Sequence, residues 1–442
     1  MNRGISFVAT GDSFITCRLP SQKDQKFDKI RELINNNEVK FTNLEVTVHD
    51  FEGAPSAFSG GTWSIASPNV LNDIDAYGFN LLNIANNHTL DYSYGGLEAT
   101  EKNLKKYDFV YAGAGENMAK ASNPKYLDCP SGRIGFVAAT TTFHESWIAG
   151  EQRRDLRGRP GVNPLRHDAL HVISKGKLNN LKEIAEITDI NAMNNLDYKE
   201  GFEVPPPSNM LKFGKYLFIE GSDEGLVTNP NKKDLERILR AINEAKRQSD
   251  EVVVSIHSHE MKGEDKSKPA DFLIEFARLC IDEGASAVIG HGPHIIRGIE
   301  IYKGRPIFYS LGNFIFQSDL VSNLPSDFYE KYGLGPMDNT ADALDTRSKN
   351  NTTGLGANPD VWESVIASWR IEDNQLKDLY LYPITLGYGV PRYKRGWPEL
   401  SKDTNVLKRL SKLSEPFGTV IEIKDGIGIV RLDLDKEKMQ LK

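Results

Sequence analysis

Val252-Val253-Val254-Ser255-Ile256-His257-Ser258-His259-Glu260 decides the fold class, because a β-branched run of strand length passes directly into two imidazoles and a carboxylate. A strand buried on both faces reads as a continuous apolar run, and its polar residues collect where it stops. The same arrangement recurs in both directions along the chain. Residues 5–10 read as a strand entering Gly11-Asp12, and 39–44 as a strand carrying Asn43-Leu44-Glu45. Residues 81–85 deliver Asn86-Asn87-His88, and 287–289 deliver Gly290-His291-Gly292-Pro293-His294. Residues 306–309 deliver Ser310-Leu311-Gly312-Asn313, and further strands are read at 109–112, 133–140 and 213–220.

Helical stretches alternate with these runs. Phe27, Ile30, Leu33 and Ile34 share one helix face, and a helix opens at Pro68, buries Val70, Leu71 and Ile74, and closes at Gly78. Other helices are read at 96–107, 232–248 and 269–282, the last with Phe272, Phe276, Leu279 and Cys280 inward and Gly284 as its stop. Strands alternating with helices predict an α/β domain whose strand-end loops converge on one face. Residues 319–360, rich in Asn, Ser, Asp, Gly and Pro, read as a long loop. Residues 361–442 read as a C-terminal extension with four strand-like runs and a helix at 405–413, adding strands to the main sheets of a single domain over 1–442.

Composition narrows the function classes. Of 442 residues, 39% are hydrophobic and 26% charged, a mixture that builds a globular core. The net charge of -7 gives no basis for nucleic-acid binding. The short apolar run in residues 1–10 lacks the length and cleavage site of a signal peptide, and no apolar stretch reaches membrane-span length. Cys17, Cys129 and Cys280 are too scattered for a disulfide framework or zinc knuckle. These readings predict a cytoplasmic protein without membrane or nucleic-acid partners; oligomeric state is not legible.

The strand-end clusters supply carboxylates, a carboxamide and imidazoles, which hold a divalent metal without thiolates. Asp12 reads either as a helix cap in a turn or as a ligand. Glu45, set among Val and Leu, needs either a metal or a basic partner to be buried. In Asn86-Asn87-His88-Thr89-Leu90-Asp91, a carboxamide can ligate metal, His88 can reach a substrate oxygen, and Asp91 can fix its tautomer. His257, His259, His291 and His294 place four of the nine histidines in two strand-end clusters, more than core imidazoles explain. Asn313 reads as a tight turn or as a supporting group. In residues 152–161, Arg153, Arg154, Arg157 and Arg159 form either a solvated loop or a grip for carboxylates. Trp63, after Gly60-Gly61, reads as an apolar wall for a substrate or as part of a surface loop.

The order GD, NLE, NNHxxD, HxxE, GHxPH and SLGNF resembles the CapA-type poly-gamma-glutamate capsule family, a branch of the calcineurin-like metallophosphoesterases, across about residues 5–316. The resemblance implies a four-layer α-β-β-α sandwich with a dinuclear-type site at the sheet edges. By position it implies Asp12, Glu45, Asn87, His257, His291 and His294 as metal ligands, with His88 facing substrate and Asp91 behind it. Two departures stand out: Phe14 occupies the place of an expected His, and His291 and His294 are three residues apart rather than two. One firmly held ion is the expectation, within a range of one or two ions of Mn, Zn, Fe or Mg.

Three functions follow as expectations. The first is metal-dependent hydrolysis of an amide, gamma-glutamyl or peptide, in an anionic polymer or peptide, with His88, Asp91 and His259 as catalytic groups and Arg153, Arg154, Arg157, Arg159, Trp63 and Asn313 binding substrate. The second is a peptide epimerase exchanging an α-proton between two bases. The third is a non-catalytic partner in polymer binding or synthesis.

Overall fold

The Ile5–Phe14 strand is the hub of a ten-stranded mixed sheet in the computed structural model, which describes residues 4–19 and 24–432. On one side it pairs in parallel with Val39–Leu44, which continues to Leu81–Asn83 and Val110–Ala112. On the other it pairs antiparallel with Glu363–Glu372, followed by Gln375–Thr385 and the Ile421–Lys424 and Ile427–Val430 hairpin. A six-stranded sheet runs Ile299–Tyr302, Arg305–Phe308, Ala287–His291, Glu251–His257, Gly132–Thr140, Lys125–Cys129. The protein is a mixed α/β structure built on several sheets.

Apolar clusters tie the elements together. One joins the two large sheets through Phe7, Phe41, Phe136, Val253, Ile289 and Trp369. A second packs Phe27, Ile30, Leu71, Ile74 and Leu97, from three helices, against Val8, Leu44 and Leu82 of the ten-stranded sheet. A third packs Ile238, Ile242, Phe272 and Phe276 against Val252, Val254 and Val288 of the six-stranded sheet. The helix predicted between Pro68 and Gly78 forms as a 3-10 turn, Pro68–Val70, followed by Leu71–Tyr77, and Gly78 ends it with φ +96°.

Three expectations are corrected. The first strand does not stop at Thr10. It continues to Phe14 because Asn313–Phe316 lies beside it in parallel, with Asp12 opposite Asn313, after a register shift between Ala9 and Asp12. Gly11 is required there: a Cβ would stand 1.8 Å from the Gly312 carbonyl oxygen. The segment 319–360 is not a loop. It holds the helices Ser326–Lys331 and Thr340–Ser348 and a 3-10 turn and opens another, because its polar residues act as caps while Val321, Phe328, Ala343 and Leu344 are buried. Asn339 and Asp342 form a capping box on Thr340–Ser348, and such residues read as turn formers in the sequence. The run at 213–220 is a hairpin, Met210–Phe213 with Tyr216–Glu220. It belongs to a separate four-stranded sheet with His167–Ile173 and Gly225–Pro230 that the sequence reading did not separate out.

Residues 1–3 of the N-terminal run and 433–442 of the C-terminal extension lie outside the described residues. Among the described residues no helix is long and apolar enough to cross a membrane.

Candidate metal centre and its cavity

Register builds the site. In the ten-stranded sheet Asn313, Asp12, Asn43 and Asn83 lie side by side on adjacent strands, and in the six-stranded sheet Thr140, His257 and His291 do the same. The two rows meet. Asp12 Oδ1 is 3.8 Å from His257 Nδ1 and 3.5 Å from His291 Nδ1, and Gly292 N donates to Asp12 Oδ2 at 3.0 Å. Glu45 Oε1 lies 3.6 Å from His257 Nε2, and His259 Nε2 lies 3.1 Å from that same nitrogen.

Donor atoms of Asp12, His257 and His291 fall within 4.8 Å of one another, as do those of Glu45, His257 and His259, and of Asp12, Glu45 and His294. His257 belongs to two of these sets through different ring nitrogens. The structure thus brings together Asp12, Glu45, His257, His291 and His294, and adds His259, expected as a catalytic group, to the donors.

Supporting hydrogen bonds orient the rings, and for His291 they set which nitrogen is basic. Ser255 Oγ is 2.7 Å from His291 Nε2; with the hydroxyl accepting that N–H, Nδ1 is left beside Asp12. Asn313 Oδ1 is 2.9 Å from His294 Nδ1, and Asn313 Nδ2 donates to the His294 and Val361 carbonyls. These bonds hold His294 at φ +61°, a conformation that costs a non-glycine residue energy. Asn43 Nδ2 donates to Asp12 Oδ1 at 2.7 Å and its Oδ1 accepts from Asn83 and Asn86. Sequence reasoning missed Ser255 and Asn83, and passed over Asn43 as a support; the only signal was a polar residue interrupting each apolar run.

Electrostatics distinguishes the cluster from an ordinary buried network. Burial, offset in part by Asn43 and Gly292, pushes the Asp12 carboxyl up to about 7. Burial, with the charges of Asp12 and Asp91, raises Glu45 well above the usual range. Burial holds His291 and His294 neutral, down to about 3, and burial with neighbouring imidazoles pushes His257 and His259 well below their ordinary value. Both Glu45 carboxylate oxygens and Asn87 Oδ1 are buried without a hydrogen-bond partner. Neutral imidazoles are in the state a divalent cation requires, and a cation would favour the ionised carboxylates and satisfy the unpartnered oxygens, so the residues fit a metal.

His88 stands beside the cluster. Its Nδ1 is 2.7 Å from Asp91 Oδ2, which leaves Nε2 as the free nitrogen. Asp91 also accepts from Gly60 N, Ser64 N and Ser64 Oγ, so it ties a cavity wall as well as orienting the imidazole. Phe14, where the resemblance led one to expect a His, packs edge-on against His88 with ring centroids 5.0 Å apart. Asn87 donates to Gly60 O at 3.0 Å, and its Oδ1 is buried without a partner.

A cavity of about 570 Å3 opens above Asn87 and His259, walled by Phe58, Trp63, His144, Trp147 and Phe328, with Asp327 and Lys331 on one side. Trp63 is therefore an apolar wall, anchored by Nε1 donating to Ser56 O. Two substrate-binding expectations are corrected. Asn313 is fully buried and holds His294 instead of reaching the cavity. Arg153, Arg154, Arg157 and Arg159 line neither this cavity nor the smaller one beside it. Their loop is closed on itself by Gly150 N to Arg159 O, Arg153 pairs with Asp155, and Arg159 Nε donates to Ile148 O.

Known proteins give the arrangement a context. A family profile described as bacterial capsule synthesis protein PGA_cap matches residues 6–318. The "uncharacterized protein y4sH" of Sinorhizobium fredii is 37% identical across 97% of this chain and 93% of its own length. "Capsule biosynthesis protein CapA" of Bacillus anthracis is 28% identical over 54% of this chain and 40% of its own length. A "probable polyglutamine synthesis accessory protein" of Mycobacterium tuberculosis is 26% identical over 52% of this chain and 44% of its own length. The profile's span contains every donor of the cluster, from Asp12 to His294, together with Asn313. By that match, this chain belongs to the bacterial capsule synthesis protein family PGA_cap.

Proposed function

We propose that this protein is a metal-dependent hydrolase that cuts an amide bond, gamma-glutamyl or peptide, in an anionic polymer or peptide. The observation that carries the reading is Glu45: a fully buried carboxylate with neither oxygen hydrogen-bonded, next to neutral imidazoles. The names of relatives tied to capsule and polyglutamine synthesis support a glutamyl substrate. We also infer the layer order α-β-β-α from the three apolar clusters.

Asp12, Glu45, His257, His259, His291 and His294 would hold one or two divalent ions, with the unpartnered Asn87 Oδ1 as a further candidate ligand. A bound ion of this kind supplies Lewis acidity toward a carbonyl and acidifies water at neutral pH. The chain's own residues do the rest. His88, held by Asp91 through Nδ1, presents Nε2 to carry a proton to the leaving amine, and the Asp91 carboxylate stabilises the imidazolium. Phe14 and Phe316 pack around His88 and His294 and keep bulk water from that side. The aromatic walls accept the chain flanking the scissile bond.

The test is incubation of metal-supplemented protein with oligo-gamma-glutamate in deuterated water. Shorter fragments, abolished by His88→Asn without loss of bound metal, are the expected result. Mass gain at an α-carbon with no shortening assigns epimerisation instead. Binding with neither change leaves the accessory role, the word the Mycobacterium relative carries.

A further inference from the structure

A second, smaller cavity of about 260 Å3 adjoins the first, lined by Arg347, Arg392, Asp319 and Tyr332 among others. The wall between them is thin. Phe328 lines the first and Tyr332 the second, their ring centroids 5.0 Å apart on and beside one helix. Arg347 bridges the wall: its guanidinium donates to Thr62 Oγ1, next to Trp63, and lies 5.8 Å from the Phe328 ring centre.

The polar groups of this cavity are incompletely matched. Arg347 makes no ion pair among the described residues, although it is partly buried. Arg392 pairs with Asp345 and sits 3.8 Å from Asp319, yet its Nε is buried without a hydrogen-bond partner. Asp319, which accepts from Arg395 through Oδ2, has Oδ1 buried and unpartnered. Arg347, a cation without an ion pair, thus lines a space sized for one residue of a chain rather than a whole ligand.

We propose that this cavity is a subsite for one unit of an acidic, amide-linked chain whose neighbouring unit lies in the larger cavity. The carboxylate of that unit accepts from the Arg347 guanidinium. Glutamyl polymers and acidic peptides carry such a carboxylate on their acidic units. Bidentate or charge-assisted bonds of this kind discriminate strongly against a neutral isostere. The inference rests on the proposed function for the identity of the chain, but its recognition step is independent of cleavage.

The experiment is calorimetric titration of the full-length, metal-supplemented protein with oligo-gamma-glutamate and with oligo-gamma-glutamine of equal length. Wild type, Arg347→Gln and Arg347→Lys are compared, with melting temperatures to show that each is folded. Arg347→Gln is expected to weaken the acidic oligomer roughly tenfold or more while leaving the neutral one unchanged, and Arg347→Lys to fall between. Equal affinity of Arg347→Gln and wild type for the acidic oligomer overturns the subsite, whether or not the chain is cut. Wild type that binds the acidic oligomer through Arg347 but leaves it intact refutes hydrolysis and keeps the subsite. Wild type that binds neither oligomer overturns both.

Discussion

Glu45 concentrates the energetics of this protein in one side chain. A buried carboxylate without a donor costs the fold about 1–3 kcal/mol, and Asp12 and Asp91 add like charge. Replacing it with an uncharged isostere should therefore have opposite effects in two states. In chelator, Glu45→Gln is expected to melt at or above the wild-type temperature; with a saturating divalent ion it should melt lower and carry less metal by elemental analysis. A variant less stable than wild type in chelator would mean that Glu45 is satisfied by some other group. The residue scale also shows what could be read early. A Glu set between Leu44 and Val46 announced a buried charge needing compensation. It did not announce that His259 would stand beside it with His257, because that depends on the turn after His257.

At the scale of elements, strand register decides the site and one ion-pair junction decides how the inserted sheet is held. Asp234, at the start of the Lys232–Lys246 helix, accepts from Arg166 N, Nε and Nη2 and from Arg237 Nη1. Arg166 immediately precedes the first strand of the four-stranded sheet, His167–Ile173. Burial raises the Asp234 carboxyl, but the two arginines more than offset it and hold it below its ordinary 3.8. A depressed carboxylate stabilises the fold fully above its unfolded pKa, and that contribution is lost as pH falls through the lower folded value. Hydrogen exchange of residues 167–230 should accordingly lose protection below roughly pH 4 in wild type. Asp234→Asn should lose roughly 2–3 kcal/mol at neutral pH and show a flatter acid dependence. Identical acid profiles for the two proteins would show that the junction does not anchor the sheet. Beyond the run at 213–220, this sheet was not legible in the sequence, since its strands are only half-buried and lack the continuous apolar runs that marked the others.

For the whole molecule, the two large sheets share an apolar core and also contribute opposite sides of the donor cluster. An ion bound there links Asp12 and Glu45 of one sheet to His257 and His291 of the other, so occupancy should act as a cross-brace. An ion present at a thousand times its Kd adds about 4 kcal/mol to the folded state. Scanning calorimetry with added Mn or Zn should show a rise of several degrees in Tm, reversed by chelator. The rise should be absent from a Glu45→Gln, His257→Ala double variant. A Tm indifferent to both ion and chelator would remove the metal from this account.

The sequence by itself determined that apolar strands alternate with helices and end in Asp, Asn, Glu and His, because burial on both faces forces continuous runs and expels polar groups to their ends. It determined the Pro68 to Gly78 helix through local backbone preference at its ends and the apolar face of Val70, Leu71 and Ile74. Only the tertiary structure decided that Asn313 supports His294, that Arg153 and Arg159 bond to nearby Asp155 and Ile148 rather than line the cavity, and that 319–360 folds into helices forming a cavity wall. Those outcomes depend on which strands become neighbours and in what register. Such pairing is a long-range property, and no window of residues carries it.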